Sequence, residues 1–123
     1  MMRRILAVDD NEDILEVMKL ILEDFGYEVE TLSDGNLLFD TLKQSHPDLV
    51  LLDVMLGNID GRELCREMKT RTDTKDIPVI LVSASHQVTE RITLSGGAPD
   101  DFLAKPFNIS DLLEKVASQL TAA

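Results

Sequence analysis

Two adjacent carboxylates, Asp9 and Asp10, a third at Asp53, a hydroxyl at Ser83 and an ammonium at Lys105 are side chains that could do chemistry together. Each follows a short apolar run. Ile5-Leu6-Ala7-Val8 precedes Asp9, Leu49-Val50-Leu51-Leu52 precedes Asp53, Val79-Ile80-Leu81-Val82 precedes Ser83, and Phe102-Leu103-Ala104 precedes Lys105. Carboxylates drawn to one place repel one another unless a cation sits among them. Oxygen donors with room for water suit Mg²⁺ best, with Mn²⁺ as the other candidate. A metal and a lysine facing one carboxylate suit a phosphoryl group, whose oxygens need neutralising from more than one side. Asp53 can then be the nucleophile, giving an acyl phosphate, and Ser83 can donate a hydrogen bond to a phosphoryl oxygen. Taken singly, each residue has an ordinary reading as a cap, a turn or loop material. Their joint occurrence at the ends of four apolar runs is what points to chemistry.

The elements that must position them alternate between two periods. Apolar runs of four residues read as buried strands. Between them, Ile14, Val17, Met18, Ile21, Leu22 and Phe25 recur at helical spacing, with Gly26 as a helix-ending glycine. Tyr27 to Leu32 reads as a strand ending in the turn residues Ser33-Asp34, and a helix around Leu37, Leu38 and Leu42 stops before Pro47. Arg62 to Thr70 puts Leu64, Cys65 and Met68 on one helical face. A weaker helix is expected around Val88 to Leu94, and a last one carries Leu112, Leu113, Val116 and Leu120 behind Asn108 as N-cap. Five strands alternating with five helices predict an α/β domain spanning residues 1–123, a doubly wound parallel sheet covered on both faces. In such sheets the site lies beyond the carboxyl ends of the strands.

The formal net charge of −11 argues against direct nucleic-acid binding, which needs clustered Lys and Arg. No apolar run approaches a membrane span, and Met1 to Asp9 is too short and too soon acidic for a signal peptide. The single cysteine, Cys65, leaves no internal disulfide and fits a reducing cytoplasm.

With those residues in place, the chain resembles the response-regulator receiver family over essentially its whole length. The matching segments are Ile5 to Glu12, Pro47 to Leu56, Pro78 to Ala84 and Asp101 to Phe107, in the family's order. The resemblance implies a flavodoxin-like five-stranded sheet of order 2-1-3-4-5. It implies that Asp53 is the phosphoacceptor, in two-component or phosphorelay signalling. Asp10 and Asp53 match direct Mg²⁺ ligands, with the backbone carbonyl of Met55 as a third, and Asp9 matches an acidic position acting through a metal-bound water. Lys105 matches the partner of the phosphoryl group, followed by a cis bond to Pro106. Ser83 and Phe102 match the hydroxyl and aromatic switch residues, whose movement changes the face formed by the fourth helix, fifth strand and fifth helix. The implied partners are a histidine kinase or histidine phosphotransfer protein, and a downstream protein or a fused output domain. No output domain is visible in the sequence, and the implied state is a monomer or a weak dimer through that face. Catalysis is confined to the domain's own phosphorylation and dephosphorylation.

Several positions depart from the family pattern. Gly57 stands where a proline is common, which suggests a more mobile loop from Met55 to Gly61. Gly96-Gly97-Ala98-Pro99 replaces the more usual Gly-Ala and polar residues. Met55 and Ser85 occupy positions that tune loss of the phosphoryl group, and a Met cannot orient an attacking water, so a long-lived phosphoryl group is expected. His86 lacks a third orienting group for a Ser–His pair, and His46 reads as a loop residue. Two other classes compete. A phosphohydrolase with an aspartyl nucleophile usually carries a second acid where this chain has Met55, and needs a substrate cap. A receiver-like interaction module without phosphotransfer would be signalled by loss of the acidic pair, Asp53 or Lys105, all of which are present. The kinase, the output and the pathway are not written in the sequence.

Overall fold

A computed structural model describes residues 2–84 and 99–121. The expected helix around Val88 to Leu94 lies outside the described residues. So do Ser85, His86, Gly96 to Ala98 and Ala122-Ala123.

Five strands, β1 (Arg4–Val8), β2 (Glu28–Leu32), β3 (Leu49–Asp53), β4 (Val79–Ser83) and β5 (Asp101–Ala104), form one parallel sheet in the order β2-β1-β3-β4-β5. The helices are α1 (Glu12–Asp24), α2 (Leu38–Ser45, entered through a 3₁₀ turn at Gly35–Leu37), α3 (Gly61–Thr70) and a C-terminal helix (Ile109–Thr121). This is the doubly wound, flavodoxin-like arrangement expected. The last helix runs to Thr121, which donates its hydroxyl to the carbonyl of Ala117 at 2.7 Å.

Alternation along the strands divides the core in two. Ile5, Ala7, Leu49, Leu51, Ile80 and Val82 face α1 and the C-terminal helix, meeting Leu15, Met18, Leu22, Leu112 and Val116. Leu6, Val8, Val50, Leu52, Val79 and Leu81 face the other way, onto Leu38 and Leu42 of α2 and Cys65 and Met68 of α3. Every residue of β3 and β4 is buried, as a strand covered on both faces requires. Each such leucine contributes about 1.5–3 kcal/mol by leaving water. The edge strand β2 is half exposed and carries Glu28 and Glu30, charges that discourage pairing with another sheet edge.

The helix ends follow from local chemistry. Asn11 caps α1, accepting from the backbone N–H of Asp13 at 2.9 Å and of Ile14 at 3.3 Å. Gly26 leaves α1 at φ 95°, and His46 ends α2 in the left-handed region at φ 47°. Asn108 caps the last helix through the N–H of Asp111 at 2.7 Å. At the end of the sheet opposite the site, the Asp100 carboxylate accepts from the backbone N–H of Val79 at 2.8 Å and from the Lys69 ammonium at 2.6 Å. That junction fixes where β5 starts beside β4, and hence where Lys105 emerges. Among the described residues no helix is long and apolar enough to cross a membrane.

Candidate functional site

Strand register alone nearly aligns the site. Val8 lies beside Leu52, so Asp9 falls beside Asp53. Asp53 lies beside Val82 and Val82 beside Leu103, so Ser83 falls one residue and Lys105 two residues beyond that row. The row crosses the carboxyl edge of the sheet, where open α/β sheets place their sites. Asp9, Asp10, Asp53, Met55, Ser83 and Lys105 line one cavity of about 290 Å³ there.

One oxygen each from Asp9, Asp10 and Asp53 lies within 4.8 Å of the others. Asp9 and Asp53 are buried, at 1% and 5% exposure, whereas Asp10 is exposed. Because Asn11 caps α1, neither carboxylate of the acidic pair is spent on the helix. Asp9 has both oxygens engaged: Oδ1 accepts from the Asn11 backbone N–H at 2.9 Å, and Oδ2 accepts from Lys105 Nζ at 3.0 Å. The same ammonium lies 3.2 Å from Asp53 Oδ1. Burial pushes the Asp53 carboxyl above its ordinary range, the Asp9 charge pushes the same way, and Lys105 opposes both. Burial works against the Lys105 charge, but the hydrogen bond to Asp9 and the charges of Asp53 and Asp9 outweigh it and hold that ammonium more firmly protonated than usual. Hard oxygen donors clustered this way fit a small divalent cation such as Mg²⁺.

The remaining predicted residues stand as follows. Ser83 is buried at the end of β4, and its carbonyl accepts from the Lys105 N–H at 2.9 Å. The Lys105–Pro106 bond is cis, as the resemblance implies. Phe102 is half-buried on β5 and packs against the α2–α3 side of the core, away from the cavity lining. Cys65 is buried, and burial pushes its thiol up to about 11, so it behaves as a core residue and not as a nucleophile.

The loop after Asp53 differs from the slack expected of it. Met55–Leu56 pairs antiparallel with Ile59–Asp60 in a short hairpin, and Gly57 takes φ 63° at the first turn position. A two-residue turn opening on glycine is a hairpin signal, and Gly57-Asn58 between Leu56 and Ile59 carried it in the sequence. Three supporting residues were also missed: Asn11, which holds Asp9; Gly57, whose N–H reaches Asp10 Oδ2 at 3.2 Å; and Gly61, whose N–H donates to the Val54 carbonyl at 2.7 Å. These contacts are backbone geometry, which side-chain types do not advertise.

Comparison with known proteins agrees with this architecture. Residues 5–117 match the family described as the response regulator receiver domain. The response regulator MprA of Mycolicibacterium vanbaalenii is 37% identical over 117 residues, covering 95% of this chain and 50% of that protein. The chain therefore spans about half the length of the curated relatives it matches. A putative response regulator from Chloroflexus aurantiacus superposes with a TM-score of 0.89 at 30% identity, covering 98% of both chains. The signal receiver domain of a signal transduction histidine kinase from Syntrophus aciditrophicus gives 0.89 at 32% identity, covering 98% of this chain and 92% of that one.

Proposed function

Because this chain belongs to the response regulator receiver domain family, we propose that it accepts a phosphoryl group on Asp53 from a phosphohistidine of a kinase or phosphotransfer protein. A carboxylate oxygen of Asp53 attacks phosphorus, an O–P bond forms, and the P–N bond breaks with its electron pair returning to the imidazole nitrogen. The observation that supports this most is the meeting of three carboxylates and one ammonium in a single cavity at the sheet edge.

Asp10, Asp53 and the Met55 carbonyl would hold Mg²⁺, which would neutralise charge on the phosphoryl oxygens and between the carboxylates. Asp9, with both oxygens already engaged, fits a role through water better than direct ligation. Lys105 stands 3.2 Å from the attacking carboxylate and turns from Asp9 to the phosphoryl oxygens as the group arrives. Ser83 donates its hydroxyl to another of those oxygens. Its movement and that of Phe102 carry the change to the surface read by a downstream protein or a fused output domain. The domain acts only on itself in this scheme.

The test is incubation with a small phosphodonor and Mg²⁺, read by intact mass. A gain of one phosphoryl group, absent without Mg²⁺ and absent in Asp53→Ala, is expected. A folded chain that binds Mg²⁺ and gains nothing would instead be a receiver-like interaction module.

A further inference from the structure

Asp10 is the exposed member of the carboxylate cluster, so its side chain has rotamer freedom that Asp9 and Asp53 lack. Its Oδ2 nevertheless accepts a hydrogen bond from the backbone N–H of Gly57, 47 residues further along the chain. That N–H is presented by the Met55–Asp60 hairpin, whose base is tied to the acceptor strand itself. Gly61 donates to the carbonyl of Val54, the residue after Asp53, at 2.7 Å. Asp60 caps α3 through the Arg62 N–H at 2.9 Å and pairs with the Arg62 guanidinium. The tip therefore has a fixed origin, and Gly57 reaches Asp10 from it at φ 63°, a backbone conformation glycine adopts without penalty.

We propose that Gly57 is a positioning residue: its backbone N–H holds a carboxylate oxygen of Asp10 and so keeps that side chain in the rotamer that meets Asp9 and Asp53, orienting Asp10 for a divalent cation. This rests on the metal-site reading given above. Partners that orient a metal ligand from behind raise affinity by fixing its rotamer in advance. A proline, common at this position in the family, has no N–H to give and cannot take a positive φ. The device therefore depends on this chain's departure from the pattern.

Mg²⁺ titration of the full chain by calorimetry tests it, with Gly57→Pro and Gly57→Asn beside the parent. Asn keeps the N–H and tolerates positive φ. The Pro variant is expected to bind about tenfold more weakly, the low end for a lost orienting partner, and the Asn variant is expected to stay close to the parent. Equal affinity in the Pro variant and the parent overturns the latch and leaves the metal site standing. So does an Asn variant as weak as the Pro variant. A parent that binds no Mg²⁺ overturns both. If Gly57→Pro does not fold, the amide proton of Gly57 decides: in Asp10→Ala it should move upfield and exchange faster, and an unchanged resonance overturns the proposal.

Discussion

A Cβ placed on Gly61 would stand 2.0 Å from the carbonyl oxygen of Asp53. It would also lie 2.9 Å from the Asp53 carbonyl carbon and 3.0 Å from Val54 Cα. The first residue of α3 is thus pressed onto the backbone that carries the candidate acceptor.

No flexible side chain is there to give way, so Gly61→Ala must move Asp53 or α3. It is expected to lower stability by about 2–4 kcal/mol, the upper range for overpacking, as a lower midpoint in urea with an unchanged slope. A loss under about 0.5 kcal/mol, the scale of a neutral surface change, would contradict the contact.

Much of the fold was legible because apolar runs and helical stripes record burial directly. Ile5 to Val8 and Leu49 to Leu52 read as buried strands, and both are. The site was legible because its side chains follow those strands, and a parallel sheet brings strand ends to one edge. What supports the site was less visible. Asn11 was not singled out, yet its side chain caps α1 and its backbone N–H holds Asp9. Gly57 was read as slack, but the backbone uses it for a defined turn.

Mg²⁺ should stabilise the fold by mass action. At ten times its dissociation constant the gain is about 1.4 kcal/mol, several degrees in Tm for a domain of this size. Asp10→Asn should remove most of that rise. An identical rise in Asp10→Asn and the parent would place the ion elsewhere.

The metal-free site carries a pH signature. Burial, then the charge of Asp9, raises the Asp53 pKa in the folded chain despite Lys105. A raised carboxylate takes up its proton more readily folded than unfolded, so its contribution favours folding below the unfolded pKa and is lost as pH rises through the folded pKa. Asp53→Asn, which never ionises, should therefore be more stable than the parent at neutral pH. The gap should narrow as pH falls toward about 4, the unfolded carboxylate value. A parent more stable than Asp53→Asn at neutral pH without metal would contradict this account. Unfolding curves of both at several pH values, in chelator, supply the comparison.

Met55 lies at the cavity with 74% of its surface exposed and has no group to orient water. Once phosphorylated, Met55→Asn or Met55→Glu should lose the phosphoryl group roughly threefold faster or more, a small part of what positioning can supply. Unchanged loss in both variants would mean that this position does not govern lifetime.

The central claim is that Asp53 itself carries the phosphoryl group. Borohydride reduces an acyl phosphate to an alcohol and would leave homoserine where the aspartate was. After treatment with phosphodonor and Mg²⁺, reduction and proteolysis, peptide mass should place homoserine at position 53. Homoserine at Asp9 or Asp10, or a phosphorylated chain with aspartate intact at 53, would contradict the assignment.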